Sequence, residues 1–231
     1  MTRGILIAGN ESALSVAVAA ETAKRVEQFA VAFISNRLSD SAGEKLFAAA
    51  EQVIPIQWKP DSPVSARTLI LAAENRLEYI HEAIVICAPP ALRKAPSDLS
   101  SSDIEIMVND NIKGWFYIVK ELTYIFKLRQ SGTLALVLSE QDGLKEESLD
   151  VLSPAATAAF RAFGQNIVAN SQDEHFNIMG FSAPQNSDNA QYASFIFKTI
   201  EERNRKNNGK WHKFGGKPPK SGLPFFPAKP R

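Results

Sequence analysis

The side chains that most often carry chemistry are few in this chain and badly spaced for it. His81, His175 and His212 lie far apart, with a single cysteine, Cys87, to join them. A metal centre needs ligands that converge from close spacings, so none is expected. One thiol also excludes an intrachain disulfide. No Gly-x-Ser-x-Gly elbow presents a nucleophilic serine, and no P-loop glycine run cradles a phosphate. Acidic residues gather at Glu140, Asp142, Glu146 and Glu147, shortly before Ser153. The Glu146-Glu147 pair reads as solvated, while Glu140, Asp142 and Glu147 are close enough in sequence to crowd one cleft.

The elements that would have to position these groups are easier to read. The 231 residues are 45% hydrophobic and 22% charged, enough for one α/β domain with a full core. Gly4 to Ala8, Val31 to Ile34, Val53 to Trp58 and Ala83 to Cys87 read as strands, with Pro55 counting against the third. Stretches with helical character separate them: Ala13 to Phe29, Ser41 to Glu51 and Pro63 to Tyr79. The second half repeats the rhythm, with helices at Asp103 to Leu128, Ser153 to Asn170 and Gln191 to Arg205. Its strands are Thr133 to Leu138, Phe176 to Phe181 and Trp211 to Phe214. Strands that alternate with helices, and are continuously apolar, predict a doubly wound, Rossmann-like α/β domain. Its sheet should be mostly parallel, with about seven strands. The domain is expected over residues 1–216, followed by a proline-rich basic tail over 217–231. No apolar run approaches the roughly 18–20 residues of a membrane span. The N-terminus enters a strand pattern without signal-peptide anatomy, so the expected location is cytoplasmic, with no membrane partner.

Charge is unevenly spread. The net charge is +1, but from Arg203 onward there are nine Lys/Arg and no Asp/Glu, which leaves 17 basic against 25 acidic residues, or −8, in the remainder. Such a tail is either solvated or docks on its own chain, on a sister subunit or on an anionic partner. The basic residues are scattered among Pro and Gly with no binding module around them, so nucleic acid is not an expected partner.

The order of elements resembles the short-chain dehydrogenase/reductase family over nearly the whole chain. Gly4-Ile5-Leu6-Ile7-Ala8-Gly9 is similar to the strand that enters the family's nucleotide loop. Ser35-Asn36-Arg37 is similar to its basic-type second strand end. Asn111-Ile112-Lys113-Gly114-Trp115-Phe116 is similar to its Asn-x-x-Gly-x-Phe. Ala158-Ala159-Phe160 with Phe163 resembles the helix that follows the catalytic Tyr-x-x-x-Lys. Asn208 to Gly216 resembles the terminal Gly, strand, Gly-Gly signature. The resemblance implies a nicotinamide cofactor held by Gly9, Ser12, Arg37 and Trp58. Arg37 would suit a 2′-phosphate and hence NADP. It also implies a homo-oligomer, a dimer or tetramer, through the helices that carry Trp115 to Ile118 and Phe160 to Phe163.

The same resemblance exposes departures. Of the family's Thr-Gly-x-x-x-Gly-x-Gly, only Gly9 survives in Ala8-Gly9-Asn10-Glu11-Ser12-Ala13-Leu14-Ser15. Ala13 and Ser15 add side-chain atoms where backbone should approach a pyrophosphate, and Glu11 adds a carboxylate. Ser12 is either a phosphate ligand or a helix cap. Trp58 replaces an adenine-side Asp and either stacks on a base or fills the adenine pocket itself. Ile86-Cys87-Ala88-Pro89 stands where the family has Asn-Asn-Ala-Gly. The catalytic tyrosine position holds Ser153 and the lysine position holds Thr157. Ser139 matches the family's catalytic serine, with Glu140 as a competing match, and Asn111 is retained.

Three readings follow. In the first, a degenerate reductase-like protein without redox catalysis acts as a binding, scaffolding or regulatory subunit, with no NADP or weakly bound NADP and with a protein partner. In the second, an NAD(P)-dependent oxidoreductase uses a relocated acid: Tyr117, Tyr192 or a group of the substrate. In the third, a non-redox lyase or isomerase on the same frame uses Ser139, Glu140 and Ser153.

Overall fold

The computed structural model describes residues 3–34, 52–140, 149–202 and 204–215. Its strands are β1 (Ile5–Asn10), β2 (Phe29–Ile34), β3 (Val53–Pro55), β4 (Glu82–Cys87), β5 (Thr133–Glu140), β6 (Asn177–Pro184) and β7 (Lys210–Lys213). They form one sheet in the order β3-β2-β1-β4-β5-β6-β7, and every neighbouring pair is parallel. The helices are α1 (Ala13–Ala23), α2 (Pro63–Leu77), α3 (Ser101–Val108), α4 (Gly114–Arg129), α5 (Leu152–Ala169) and α6 (Asn189–Glu201).

A parallel sheet needs crossover helices, and these cover both faces. Leu6, Ala8, Val85 and Leu136 point into a core shared with α2, α4 and α5. Ile5, Ile7, Ile84 and Val137 point to the opposite face, into a core with α1 and α6. This two-sided burial explains why β1 and β4 read as unbroken apolar runs. At the end of the sheet, Trp211 of β7 lies over Gly180 of β6 and Gly164 of α5, where an added Cβ would strike its ring.

Three sequence-based boundaries are corrected. The helix expected over Ala13 to Phe29 ends at Ala23, because the Thr22 carbonyl accepts from both the Arg25 and Val26 N–H groups. Phe29 is instead needed in β2 to pair with Val53. The third strand stops at Pro55, short of Trp58, with the Ile56 N–H still donating to the Val31 carbonyl of β2 at 2.8 Å. The long helix expected over Asp103 to Leu128 is α3 and α4 joined by a π-helical turn at Asn109–Lys113. The expected helix over 41–51 and the basic tail over 217–231 lie outside the described residues.

The entry to α3 is a capping box. The Ser100 Oγ accepts from the Asp103 N–H (3.1 Å), and the Asp103 carboxylate accepts from the Ser100 N–H (2.9 Å). Lys94 Nζ donates to the same carboxylate at 2.8 Å. Lys94, then the Ser100 hydroxyl and N–H, hold the Asp103 carboxyl down at about 2, against 3.8 unperturbed. A depressed carboxyl stabilises the fold fully above its unfolded value and loses that contribution as pH falls through the folded one. Chemical denaturation should therefore show Asp103→Asn removing pH dependence between 3.8 and about 2. Gly180→Ala, which sets a methyl against Trp211, should cost about 1–3 kcal/mol in the same measurement.

Candidate functional site

In an open parallel sheet, ligands bind beyond the carboxyl ends of the strands, where the strand order reverses. Here that point lies between β1 and β4. Asn10, the last residue of β1, is 5% exposed. Its Nδ2 donates to Asn111 Oδ1 at 2.7 Å, and its Oδ1 accepts from the Ala88 N–H at 2.9 Å. One side chain thus ties β1 to the residue after β4 and to the π-helical turn before α4. The Ser15 hydroxyl donates to the Asn10 carbonyl. Asn111, retained in the Asn-x-x-Gly-x-Phe match, is itself buried and engaged by Asn10.

The loop from Gly9 to Ser15 is held by its own groups. A Cβ on Gly9 would stand 2.9 Å from both Cβ and O of Ile86. Close pairing of β1 with β4 therefore requires a glycine there. Ser12 caps α1, its Oγ accepting from the Ser15 N–H at 3.1 Å and lying 2.9 Å from the Ser15 hydroxyl. Glu11, the residue before that cap, has Oε1 buried and lacking a hydrogen-bond partner.

Ser153 is fully buried. Its Oγ donates to the Pro90 carbonyl at 2.6 Å, and its N–H donates to Asp150 Oδ1 at 3.1 Å. Asp150 Oδ2 accepts from the Leu92 N–H at 2.9 Å. Asp150 and Ser153 together fasten the start of α5 to the segment after β4. Thr157 Oγ1 donates to the Pro154 carbonyl of its own helix at 2.9 Å. Ser139 and Glu140 are half-buried at the end of β5, and Glu140 is ion-paired with Arg161 at 2.8 Å. Tyr117 is half-buried on α4. Tyr192 is almost completely buried, with its hydroxyl donating to the Leu138 carbonyl. Burial, then the charge of Glu140, push its hydroxyl well above the ordinary tyrosine range.

Trp58 is buried, its ring 5.3 Å from that of Trp115, which meets Phe160 edge-on at 6.3 Å. Cys87 shares this core, and burial raises its thiol. Gly114 makes the approach of the Trp58 loop possible, since a Cβ there would stand 2.7 Å from Pro60 Cβ. Arg37, Asp142, Glu146 and Glu147 lie outside the described residues. Among the described residues, no group of three or more His, Cys, Asp or Glu is arranged to hold a metal.

The sequence reading missed Asn10 and Asp150. For Asn10 a signal existed, an amide closing an aliphatic strand, but it was absorbed into a turn. Asp150 carried no signal, because its partner Leu92 is 58 residues away.

No family model and no curated protein matches the sequence. Solved structures match its shape. Levodione reductase aligns with a TM-score of 0.72 at 12% identity over 91% of this chain and 95% of that one. A Tyr-to-Phe variant of ElxO with NADPH bound gives 0.73 at 16% identity, over 92% and 97%. A short-chain dehydrogenase/reductase of glucose/ribitol dehydrogenase type from Brucella melitensis gives 0.71 at 14%, over 92% and 94%. The chain therefore has the Rossmann-like fold of short-chain dehydrogenases/reductases.

Removing the Ser153 hydroxyl leaves the Pro90 carbonyl without its donor, so Ser153→Ala should cost about 1–3 kcal/mol in urea denaturation. Ser139→Ala, at a half-buried strand end, should stay within about 0.5 kcal/mol.

Proposed function

We propose that this chain is a degenerate reductase-fold protein without redox catalysis, acting as a binding, scaffolding or regulatory subunit. The observation that carries this reading is the use of Ser153. Hydride transfer to a carbonyl builds negative charge on oxygen, and an acid worth roughly 10²–10⁴-fold in rate must meet it. The side chain at the family's place for that acid is fully buried and donates to a backbone carbonyl. Its neighbour at the lysine position, Thr157, bonds its own helix.

A nicotinamide dinucleotide fits the reversal point poorly. The pyrophosphate would meet a helix N-terminus capped by Ser12 and preceded by Glu11. Trp58 is packed into the core against Trp115 rather than offered as a stacking surface. We take NADP to be absent or weakly held. Any residual preference for the phosphorylated cofactor would come from Arg37.

The same reading takes the protein as a homo-oligomer through the α4 and α5 side. The exposed large apolar residues on the helices belong to α2, α3 and α4, among them Leu71, Ile104, Phe116, Tyr124 and Leu128; α1, α5 and α6 contribute none among the described residues. A groove of about 740 Å³ runs between α4 and α5, lined by Tyr124, Phe163, Ile167 and Phe176. Its charged rim is paired within the chain, Lys120 with Glu121 at 3.2 Å and Lys127 with Glu174 at 3.1 Å.

Calorimetry with NADPH is the first test: the expected result is no sub-micromolar binding, and a sub-micromolar affinity overturns the reading. The expected turnover of ketone or acyl-thioester substrates with NADPH is none. Measurable reduction that survives Ser153→Ala would place the acid elsewhere. Light scattering at micromolar concentration should give at least a dimer, and Tyr124→Glu should shift it toward monomer.

A further inference from the structure

The groove between α4 and α5 is lined by aromatic rings. Phe176 is buried, Phe163 is half-buried and stacks on Phe116, and Tyr124 is 63% exposed. Glu121 and Glu174 stand at its rim and accept from Lys120 and Lys127 through Oε1 alone among the described residues. Aromatic-lined grooves suit polyproline II segments, which are preformed and have little entropy left to lose. The chain carries a sequence of that kind. Beyond Gly215, residues 216–231 contain five prolines, four Lys/Arg and no Asp/Glu. Pro224, Pro227 and Pro230 recur at every third residue, the period of a polyproline II helix. In that conformation they share one edge, and Leu223 and Phe226 share the next. Leu223-Pro224-Phe225-Phe226-Pro227-Ala228 is an unbroken apolar run.

We propose that this groove is the seat of the chain's own C-terminal segment, with Leu223 and Phe226 against its aromatic lining. The reach is sufficient. β7 delivers Gly215 to the carboxyl edge of the sheet, beside α5, since Trp211 lies against Gly164. α5 runs back from that edge, so its groove residues from Phe163 to Asn170 lie roughly 17–27 Å along it at about 1.5 Å per residue. Leu223 to Phe226 are eight to eleven residues past Gly215, roughly 25–34 Å at about 3.1 Å per residue. On the way, α5 presents Ala155, Ala158 and Ala162 to solvent, side chains too small to obstruct a passing chain. Residues 1–202, with 17 basic and 25 acidic side chains, draw a basic segment rather than an acidic one. The seat is compatible with pairing of copies through α4 and α5. Two faces meeting over an open groove of about 740 Å³ would enclose a void, and close packing disfavours one; a seated segment fills it. The inference goes beyond the reading of the chain as a subunit without redox catalysis. Its test uses neither cofactor nor turnover, so the two fail separately.

The test is photocrosslinking in the full chain, with p-benzoylphenylalanine in place of Phe226 and isotopically light and heavy chains mixed. Crosslinks to Tyr124 or to the stretch 163–178, within chains of one label, are expected. Crosslinks elsewhere, crosslinks that join light to heavy chains, or none at all would overturn the proposal. A second measurement follows the anisotropy of a fluorescein-labelled peptide of residues 217–231. The full chain with Phe225→Ser and Phe226→Ser should bind it, its own segment no longer holding the groove. The unmodified chain should bind it at least about tenfold more weakly, because a tethered segment competes at an effective concentration near millimolar. In the chain with both serines, Tyr124→Ser, at an exposed side chain, should weaken the peptide severalfold, and Ile167→Asp by about tenfold or more. A scrambled peptide without the three-residue proline spacing should bind about tenfold more weakly. Equal binding by the unmodified chain, equal binding of the scrambled peptide, or indifference to both groove substitutions would count against the seat.

Discussion

A parallel sheet delivers the carboxyl ends of all its strands to one edge, where the ladder stops and polar groups need new partners. In this chain the amide of Asn10 meets that need at the centre of the sheet. With Nδ2 on Asn111 and Oδ1 on the Ala88 N–H, it joins the first strand, the segment after the fourth and the π-helical turn. An unpaired amide at that depth would carry a desolvation cost. These three segments therefore have one joint arrangement rather than three independent ones, and the loop geometry around the reversal point follows from it.

The same economy of partners runs outward from Asn10. Asp150 and Ser153 fasten α5 to the segment of Pro90 and Leu92, and Ser12 closes the N-terminus of α1. Polar groups at this edge, which in a ligand site would point at a bound molecule, here complete the fold. Buried networks of this kind rigidify what they join.

Glycines and aromatics of the family-like motifs have packing roles of their own. Gly9 is required by the closeness of Ile86, and Gly114 by the passage of Pro60 over the start of α4. Phe116 stacks on Phe163 at 4.1 Å, a contact between α4 and α5. Gly9 was matched to the family's nucleotide loop, Gly114 and Phe116 to its Asn-x-x-Gly-x-Phe, and Phe163 to the helix after Tyr-x-x-x-Lys, and each has a packing contact here.

Periodicity and punctuation along the chain determined the alternation of strands and helices, and with it the doubly wound sheet, because burial on two faces leaves a local mark in every strand. Side-chain identity also put Ser153 and Thr157, rather than tyrosine and lysine, at the positions the resemblance matches to the family's pair. Local signals could not set the end of α1 or the π-helical turn between α3 and α4, since these were decided by Phe29 pairing with Val53 and by the contacts around Asn111, whereas the shortness of β3 did have a local mark in Pro55. Nor could they pair Asn10 with Asn111, 101 residues apart, or Ser153 with Pro90, 63 apart. Those contacts exist only once the sheet has brought distant strand ends to a single edge. Whether a serine there is a reactive group or a fastening depends on which backbone carbonyl lies within reach, a property of packing and not of any stretch of sequence.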